Sequence, residues 1–383
     1  MLEKKIICFI LKLSLILLAA CENVEKPHEK DASPEIATHG EAAQEFYTGT
    51  QRDRSSEHAT ARGVYVGASD DILKRLADMK KFGVNAVVID VKNEFGDITC
   101  DLDLPSLYKK SIRIHNIGKT IATLRSMGIY TIARIITFRD QYAVSAFDGF
   151  AVRNKDGSIL VDREKSSWLN PYNKKVWDYV IQVAKAAAKI GFNEIQFDYV
   201  RFSSYKNPDI DLGPQSKSIS RTEIISKFLD YAVRILHPLG VKISVDVFGC
   251  IIPGSLGEDT ELATQRTGQD WNKIVKIVDY ICPMIYPSHW TINSMNIKYP
   301  DHEPYKIINS SLQLAVKATE STKDARAIIR PWLQAFTANW LPPKVYMTYS
   351  KKQINEQLLA TTDAGINGWC FWNPSARYAA FAW

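Results

Sequence analysis

FNEIQFDYVRF, residues 192–202, is the stretch from which the fold of this chain is read. Apolar Ile195 and Phe197 alternate with polar Glu194 and Gln196, and a carboxylate, Asp198, arrives where the run should end. Alternation with a period of two over a short run predicts a strand. A helical pattern over 176–190 stands in front of it and Gly191 separates the two, so the unit is helix–strand rather than hairpin. Asp198 at the carboxyl end of such a strand, followed at once by Tyr199 and Arg201, marks a working position. In α/β sheets and barrels, ligands collect at the carboxyl ends of the strands.

The same unit recurs on both sides. Strands are predicted at 63–68, 84–92, 129–138, 193–199, 241–249, 278–286, 325–336 and 366–373. Helical patterns fall between them at 71–82, 117–127, 174–190, 221–236, 271–277, 305–319 and 351–364. Near-continuous apolar strands alternating with helices imply parallel strands buried on both faces. Eight such units over about 310 residues favour one closed (β/α)8 TIM barrel over an open doubly wound sheet. Gly83, Gly128, Gly191, Gly240 and Gly365, each between a helix and the next strand, hold the register. No GxGxxG follows the first strand and no GxxxxGK[ST] occurs, which argues against dinucleotide and P-loop chemistry.

Ahead of the barrel lies a different kind of sequence. Residues 1–20 have a basic start and an apolar run that ends in Leu18-Ala19-Ala20-Cys21, the form of a secretory signal. That ending also resembles a bacterial lipobox, in which Cys21 becomes the lipidated first residue. Residues 21–61 are polar, rich in Glu, Lys, His, Ser and Thr, without a periodic apolar face, and read as a flexible tether. The expected organisation is a signal peptide (1–20), a tether (21–61) and a barrel domain (62–383), lipid-anchored on the extracytoplasmic side of a bacterial membrane or secreted. The formal net charge of +6 falls to +4 once Lys4, Lys5, Lys12 and Glu3 leave with the leader. That charge is evenly spread, with no basic run to track phosphates, so nucleic acid is set aside as a partner. Cys100, Cys250, Cys282 and Cys370 show no metal-ligand spacing. Cys282 and Cys370 fall inside strands and read as small buried residues. The seven His include no HExxH, so neither a metal nor a cofactor is demanded.

The predicted strand tips carry Asp90 with Lys92 and Glu94, Arg139 with Asp140, Asp198 with Arg201, Asp246, Tyr286 with His289, Gln334, and Trp372 with Asn373. On a closed barrel all of these face one rim. Singly, each Arg–Asp pair reads as a rim salt bridge; together they read as a cleft. Paired carboxylates between aromatic walls suit glycosidic cleavage, since one carboxyl protonates the leaving oxygen while the other attacks carbon or activates water. Aromatic faces stack on sugar rings, and Arg, His, Asn and Gln bind hydroxyls. Metal-dependent deacetylation of a polysaccharide would need an Asp/His cluster that the sequence lacks.

RGVYVGA (62–68), VIDVKNEFGDI (88–98), ARIITFRD (133–140), EIQFDYVRF (194–202), SVDVFG (244–249), PMIYPSHW (283–290), RPWLQAF (330–336) and GWCFWN (368–373) resemble, in order, a bacterial family of glycoside-hydrolase-like domains. The family is similar, more distantly, to the (β/α)8 glycosidase superfamily that includes α-galactosidases and α-amylases. The resemblance implies a nucleophile at the tip of the fourth strand, Asp198, and a general acid on the fifth or sixth. Asp246 is the matching carboxylate on the fifth, although it lies near the middle of its strand; the sixth offers Tyr286 and His289 but no carboxylate. Asp90 and Asp140 stand in reserve for the acid. Asp90, Glu94, Arg139, Asp140, Arg201, Tyr286, His289, Gln334 and Trp372 are the expected substrate-binding residues. The expected activity is hydrolysis of an envelope or extracellular polysaccharide; the alternative is a non-catalytic carbohydrate-binding barrel serving envelope assembly.

Overall fold

The computed structural model describes residues 60–80, 83–205 and 209–378. The leader, Cys21 and nearly all of the tether lie outside the described residues. Eight parallel strands form the barrel: β1 (Arg62–Gly67), β2 (Ala86–Lys92), β3 (Tyr130–Ile136), β4 (Glu194–Asp198), β5 (Lys242–Phe248), β6 (Tyr280–Met284), β7 (Ile328–Ile329 and Trp332–Gln334) and β8 (Trp369–Trp372). Each pairs with its neighbours in chain order. The ring closes where Gly63 of β1 pairs with Cys370 of β8. A Cβ on Gly63 would lie 2.9 Å from the Cys370 sulfur, so the closing contact requires glycine.

Outside the ring run α1 (Ile72–Lys80), α2 (Ile117–Ser126), α3 (Lys174–Ile190), α4 (Arg221–Leu236), α5 (Asp259–Thr267), α6 (Trp271–Ile274), α7 (Pro304–Glu320) and α8 (Lys351–Asp363). Local chemistry sets their ends. Asn173 and Ser220 cap α3 and α4 by accepting the amides of Lys175 and Glu223, and Ser350 with Gln353 forms a capping box on α8. Every residue of β2 is buried, as expected for a strand covered by helices on one side and a filled lumen on the other.

Several elements depart from the sequence reading. The seventh strand is two pieces, because Pro331 has no N–H to give the ladder, and the backbone turns through Arg330-Pro331 before pairing resumes. The helix expected over 271–277 is a single turn, α6, and the helical crossover here begins earlier with α5. The buried face of α5 is Thr260, Ala263, Thr264 and Thr267, so it carries no apolar stripe to betray it. Short strands Ile98–Cys100 and Lys110–Ile114 extend the sheet beyond β2, and Arg153–Asn154 pairs with Ile210–Asp211 in the loops above the barrel.

Two apolar regions hold the molecule together. The larger lies between strands and helices. The smaller fills the lumen with Val88, Ile132, Tyr280, Cys282, Trp332 and Cys370, beneath Tyr65 and Tyr286. Toward the amino ends of the strands Arg330 pairs with Glu194, which also accepts the Tyr130 hydroxyl at 3.0 Å. That charge pair, fully buried, plugs the bottom of the barrel. All four described cysteines are buried.

Candidate active site

The other end of the lumen is polar. On β3, alternation turns Ile132 and Arg134 inward, and the Arg134 guanidinium ties three strands together. Its Nη1 donates to Asp90 Oδ1 of β2 at 2.7 Å, while Nε (3.0 Å) and Nη2 donate to Asp198 Oδ2 of β4. The Tyr65 hydroxyl of β1 donates to the other oxygen of Asp90. The same guanidinium lies 5.1 Å from the Trp372 ring and 5.8 Å from the Tyr65 ring, so β8 and β1 supply aromatic faces beside the charge. Tyr65 and Trp372 are themselves in contact, with ring centroids 4.1 Å apart.

Asp246 lies beside Asp198. Phe197 pairs with Val245 across β4 and β5, so the next residue on each strand, Asp198 and Asp246, stands at the same level. The indole of Trp332 donates to Asp246 Oδ1 at 2.7 Å. Burial, and then the negative charge of Asp198, push the Asp246 carboxyl well above the ordinary carboxylate range. Asp246 thus holds its proton more tightly than an ordinary carboxyl, next to Asp198, which accepts hydrogen bonds from an arginine.

A second cluster borders the first. Glu94, in the loop after β2, is partly buried, and desolvation raises its proton affinity against the opposing pull of its own backbone amide and the field of Arg139. Arg139 is fully buried, donates to the Tyr199 hydroxyl at 3.1 Å and to Ser166, and stands 3.4 Å from Glu164. Burial, opposed by Arg139, lifts the Glu164 carboxyl to about 7. Arg201 lies over the rings of Phe248 (4.5 Å), Trp168 (4.8 Å) and Tyr199 (4.9 Å), and burial lowers its proton affinity. Tyr199 itself has a φ of 51°, an uncommon conformation for a bulky residue, and its N–H donates to Asp198 Oδ1 at 2.6 Å.

Tyr286 is buried at the lumen mouth within the fields of Asp246 and Asp198. It meets His289 at 5.0 Å and Phe336 at 5.8 Å, and Trp340 stacks on Phe336 at 5.6 Å. Burial lowers His289 to about 3, so its ring is neutral at physiological pH. The mouth thus has an acidic half on β2, β4 and β5, and an aromatic half from β6 round to β1.

Two of the residues read from the strand tips are committed elsewhere. Asp140 pairs with Lys92 at 2.8 Å, accepts the Tyr179 hydroxyl at 3.2 Å, and receives the amides of Tyr142 and Ala143. Because β3 ends at Ile136, the chain has already turned outward by residue 140, and Asp140 faces α3 rather than the lumen. Gln334 spends its amide on Asp301, the Phe336 carbonyl and the Ser288 amide, tying the loops after β6 and β7 to each other. Conversely, Arg134, Tyr65, Trp332 and Glu164 were not foreseen. Arg134 was open to the period-two reading, since it shares its face with Ile132, but Glu164 lies in a loop with no periodic signal. Among the described residues no group of three or more His, Cys, Asp and Glu is arranged to hold a metal ion.

Residues 62–378 match the model of a family described as "Putative glycosyl hydrolase domain". The chain belongs to this family. Among solved structures, a hypothetical protein from Ruminiclostridium thermocellum is 33% identical over 48% of this chain and 97% of its own, with a TM-score of 0.43. The PgaB (BpsB) glycoside hydrolase domain from Bordetella bronchiseptica is 14% identical over 82% of this chain and 94% of its own, with a TM-score of 0.57, a likeness of fold. The catalytic domain of a β-amylase from Paenibacillus polymyxa, 12% identical, covers 84% of this chain and 95% of its own at a TM-score of 0.48. No curated protein matches the sequence.

Proposed function

We propose that this protein hydrolyses glycosidic bonds at the carboxyl end of its barrel, with Asp246 as general acid and Asp198 as nucleophile. The observation that carries the reading is the contrast between neighbouring carboxyls: burial and Asp198 raise the proton affinity of Asp246, while Asp198 accepts hydrogen bonds from Arg134. Such a divergence assigns acid and base roles to a pair. Asp246 delivers its proton to the glycosidic oxygen as the C–O bond breaks, and an Asp198 oxygen bonds to the anomeric carbon. Water then enters, gives its proton to Asp246 and releases the sugar from Asp198. Neighbouring strands lie about 4.8 Å apart, and two carboxyls level on them favour the short separation, about 5–5.5 Å, of retaining enzymes. Trp372, Tyr65 and Tyr286 supply surfaces for the apolar face of a sugar ring, and neutral His289 is suited to a hydroxyl.

The substrate in this reading is an envelope or extracellular polysaccharide, reached from a membrane through lipidated Cys21. Palmitate labelling in a bacterial host tests the anchor: label on the protein that disappears in Cys21→Ala supports it, and equal labelling of both removes it. Reducing-end release from a panel of bacterial polysaccharides and peptidoglycan tests the chemistry. Release by the protein and none by Asp198→Asn supports hydrolysis at this centre, whereas equal release by both takes Asp198 out of the mechanism. Polysaccharide binding without release by either indicates a non-catalytic barrel.

A further inference from the structure

Tyr199 combines three features that the fold alone does not require. Its φ of 51° falls in the left-handed region, where a bulky residue is disfavoured by about 1–2 kcal/mol. A strand can end in glycine or asparagine without that cost. Its ring is held by two buried guanidiniums, Arg139 at 5.1 Å and Arg201 at 4.9 Å, with Trp168 at 6.1 Å. Its hydroxyl accepts from Arg139, which Ser166 and Glu164 hold in turn. The outcome of the strained turn is local: the Tyr199 N–H points back at Asp198 Oδ1, 2.6 Å away, while Arg134 takes Oδ2. Strain kept by surrounding contacts at such a place is a sign of function.

We infer that Tyr199, clamped by Arg139 and Glu164, is a positioning residue that fixes the rotation of the Asp198 carboxylate. The inference rests on the hydrolase reading for its catalytic meaning, but the clamp itself is a statement about geometry. With Arg134 on one oxygen and the Tyr199 amide on the other, the carboxylate cannot swing, and its attacking lone pair keeps one direction. Loosening the ring lets the backbone relax from the left-handed conformation and withdraws the amide. The substrate-binding surfaces on β8 and β1 are untouched by this change, so turnover should suffer and binding should not.

Two readouts separate the clamp from the chemistry. The first is the backbone amide proton of Tyr199 in the full chain labelled with 15N-tyrosine, assigned by the disappearance of its signal in Tyr199→Phe. A short bond to a carboxylate moves this proton downfield; in Glu164→Gln it should move upfield. An unchanged signal overturns the clamp. The second is turnover of 4-nitrophenyl glycosides, using the one hydrolysed fastest by the parent. Tyr199→Phe and Glu164→Gln should each lower kcat about 10- to 100-fold with KM within about two-fold, the mark of misplacement rather than lost binding. Unchanged kcat in both overturns the positioning role. If the parent turns over none of the glycosides while the amide still moves in Glu164→Gln, the hydrolase reading fails and the clamp stands.

Discussion

Replacing Arg134 by methionine is the perturbation on which the account of the site depends most. The guanidinium is 9% exposed and serves two carboxylates, Asp90 and Asp198, whose side chains are 13% and 8% exposed. Methionine fills a similar length and leaves both carboxylates without their partner. Breaking a buried pair by removing one member costs about 3–5 kcal/mol, because the remaining charge is stranded. The two pairs share one guanidinium, so the losses do not add. Nor is the whole Coulomb energy lost, since a stranded carboxylate can take up a proton. That escape gives the prediction its pH signature. A carboxyl whose proton affinity is raised in the folded variant above the unfolded value of about 3.9 stabilises the fold only in its protonated form. The deficit of Arg134→Met should therefore be largest at pH 8 and shrink as the pH falls toward about 4. Urea unfolding at pH 8, 6 and 4.5 measures it. Lys227→Met is the control: the Lys227–Glu223 pair, at 2.8 Å, is half-exposed on α4, and its loss should leave the midpoint unmoved at every pH. A deficit for Arg134→Met below about 1 kcal/mol, or one that grows toward acid pH, would refute the buried fork.

Asp246→Asn should lower kcat/KM on 4-nitrophenyl glycosides by far less than on unactivated oligosaccharides, where about 10²–10⁴-fold is expected, since in the bond-breaking step only a poor leaving group needs the proton. Comparable losses on both would remove the acid role. For Glu164, raised from 4.5 to about 7 by burial, the folded state holds its proton more tightly than the unfolded chain. Its contribution to stability is present below about 4.5 and is lost as the pH rises through about 7, to the extent of about 3 kcal/mol. Urea unfolding of Glu164→Gln should thus compare more favourably with the parent at pH 8 than at pH 5, and the opposite order would contradict the assignment. Gly96 has a φ of +80° and a Cβ there would lie 2.3 Å from Asp140 Oδ1 and 2.8 Å from the Tyr142 Cβ. Gly96→Ala should destabilise the protein by about 1–3 kcal/mol in the same assay, and a neutral result would mean that the loop after β2 yields freely.

The barrel could be read from the chain because its signals are local. Each strand had its apolar run and the longer helices their stripes, and glycines marked the returns. What escaped were elements whose burial is not written in apolar residues, such as α5 with its threonine face, and contacts made across the lumen. Asp140 shows the limit well. Its neighbour Arg139 bonds to Tyr199 at the edge of the site, yet Asp140 turns away to Lys92 and α3. Residues one apart diverge once a strand has ended, and no sequence period records which of them turns in. Glu164 is a harder case still. It reaches Arg139 from a loop, and only the fold brings them together.

Asp246 shows how a rule about strand tips can understate a site. By its place in SVDVFG it sits two residues short of the end of β5, apparently too deep to reach a substrate. Depth in a barrel, however, is measured against the neighbouring strand. β4 stops at Asp198 and β5 runs on to Phe248, so the last residue of one strand and the middle of the next are level. The surplus length of β5 rises above the pair as part of the wall, where Phe248 receives Arg201. An acid set below the rim is shielded from water on more sides than one at a tip, and that burial is the first cause of its raised proton affinity. The position that looks weaker in the sequence is thus the one whose surroundings raise a carboxyl's proton affinity.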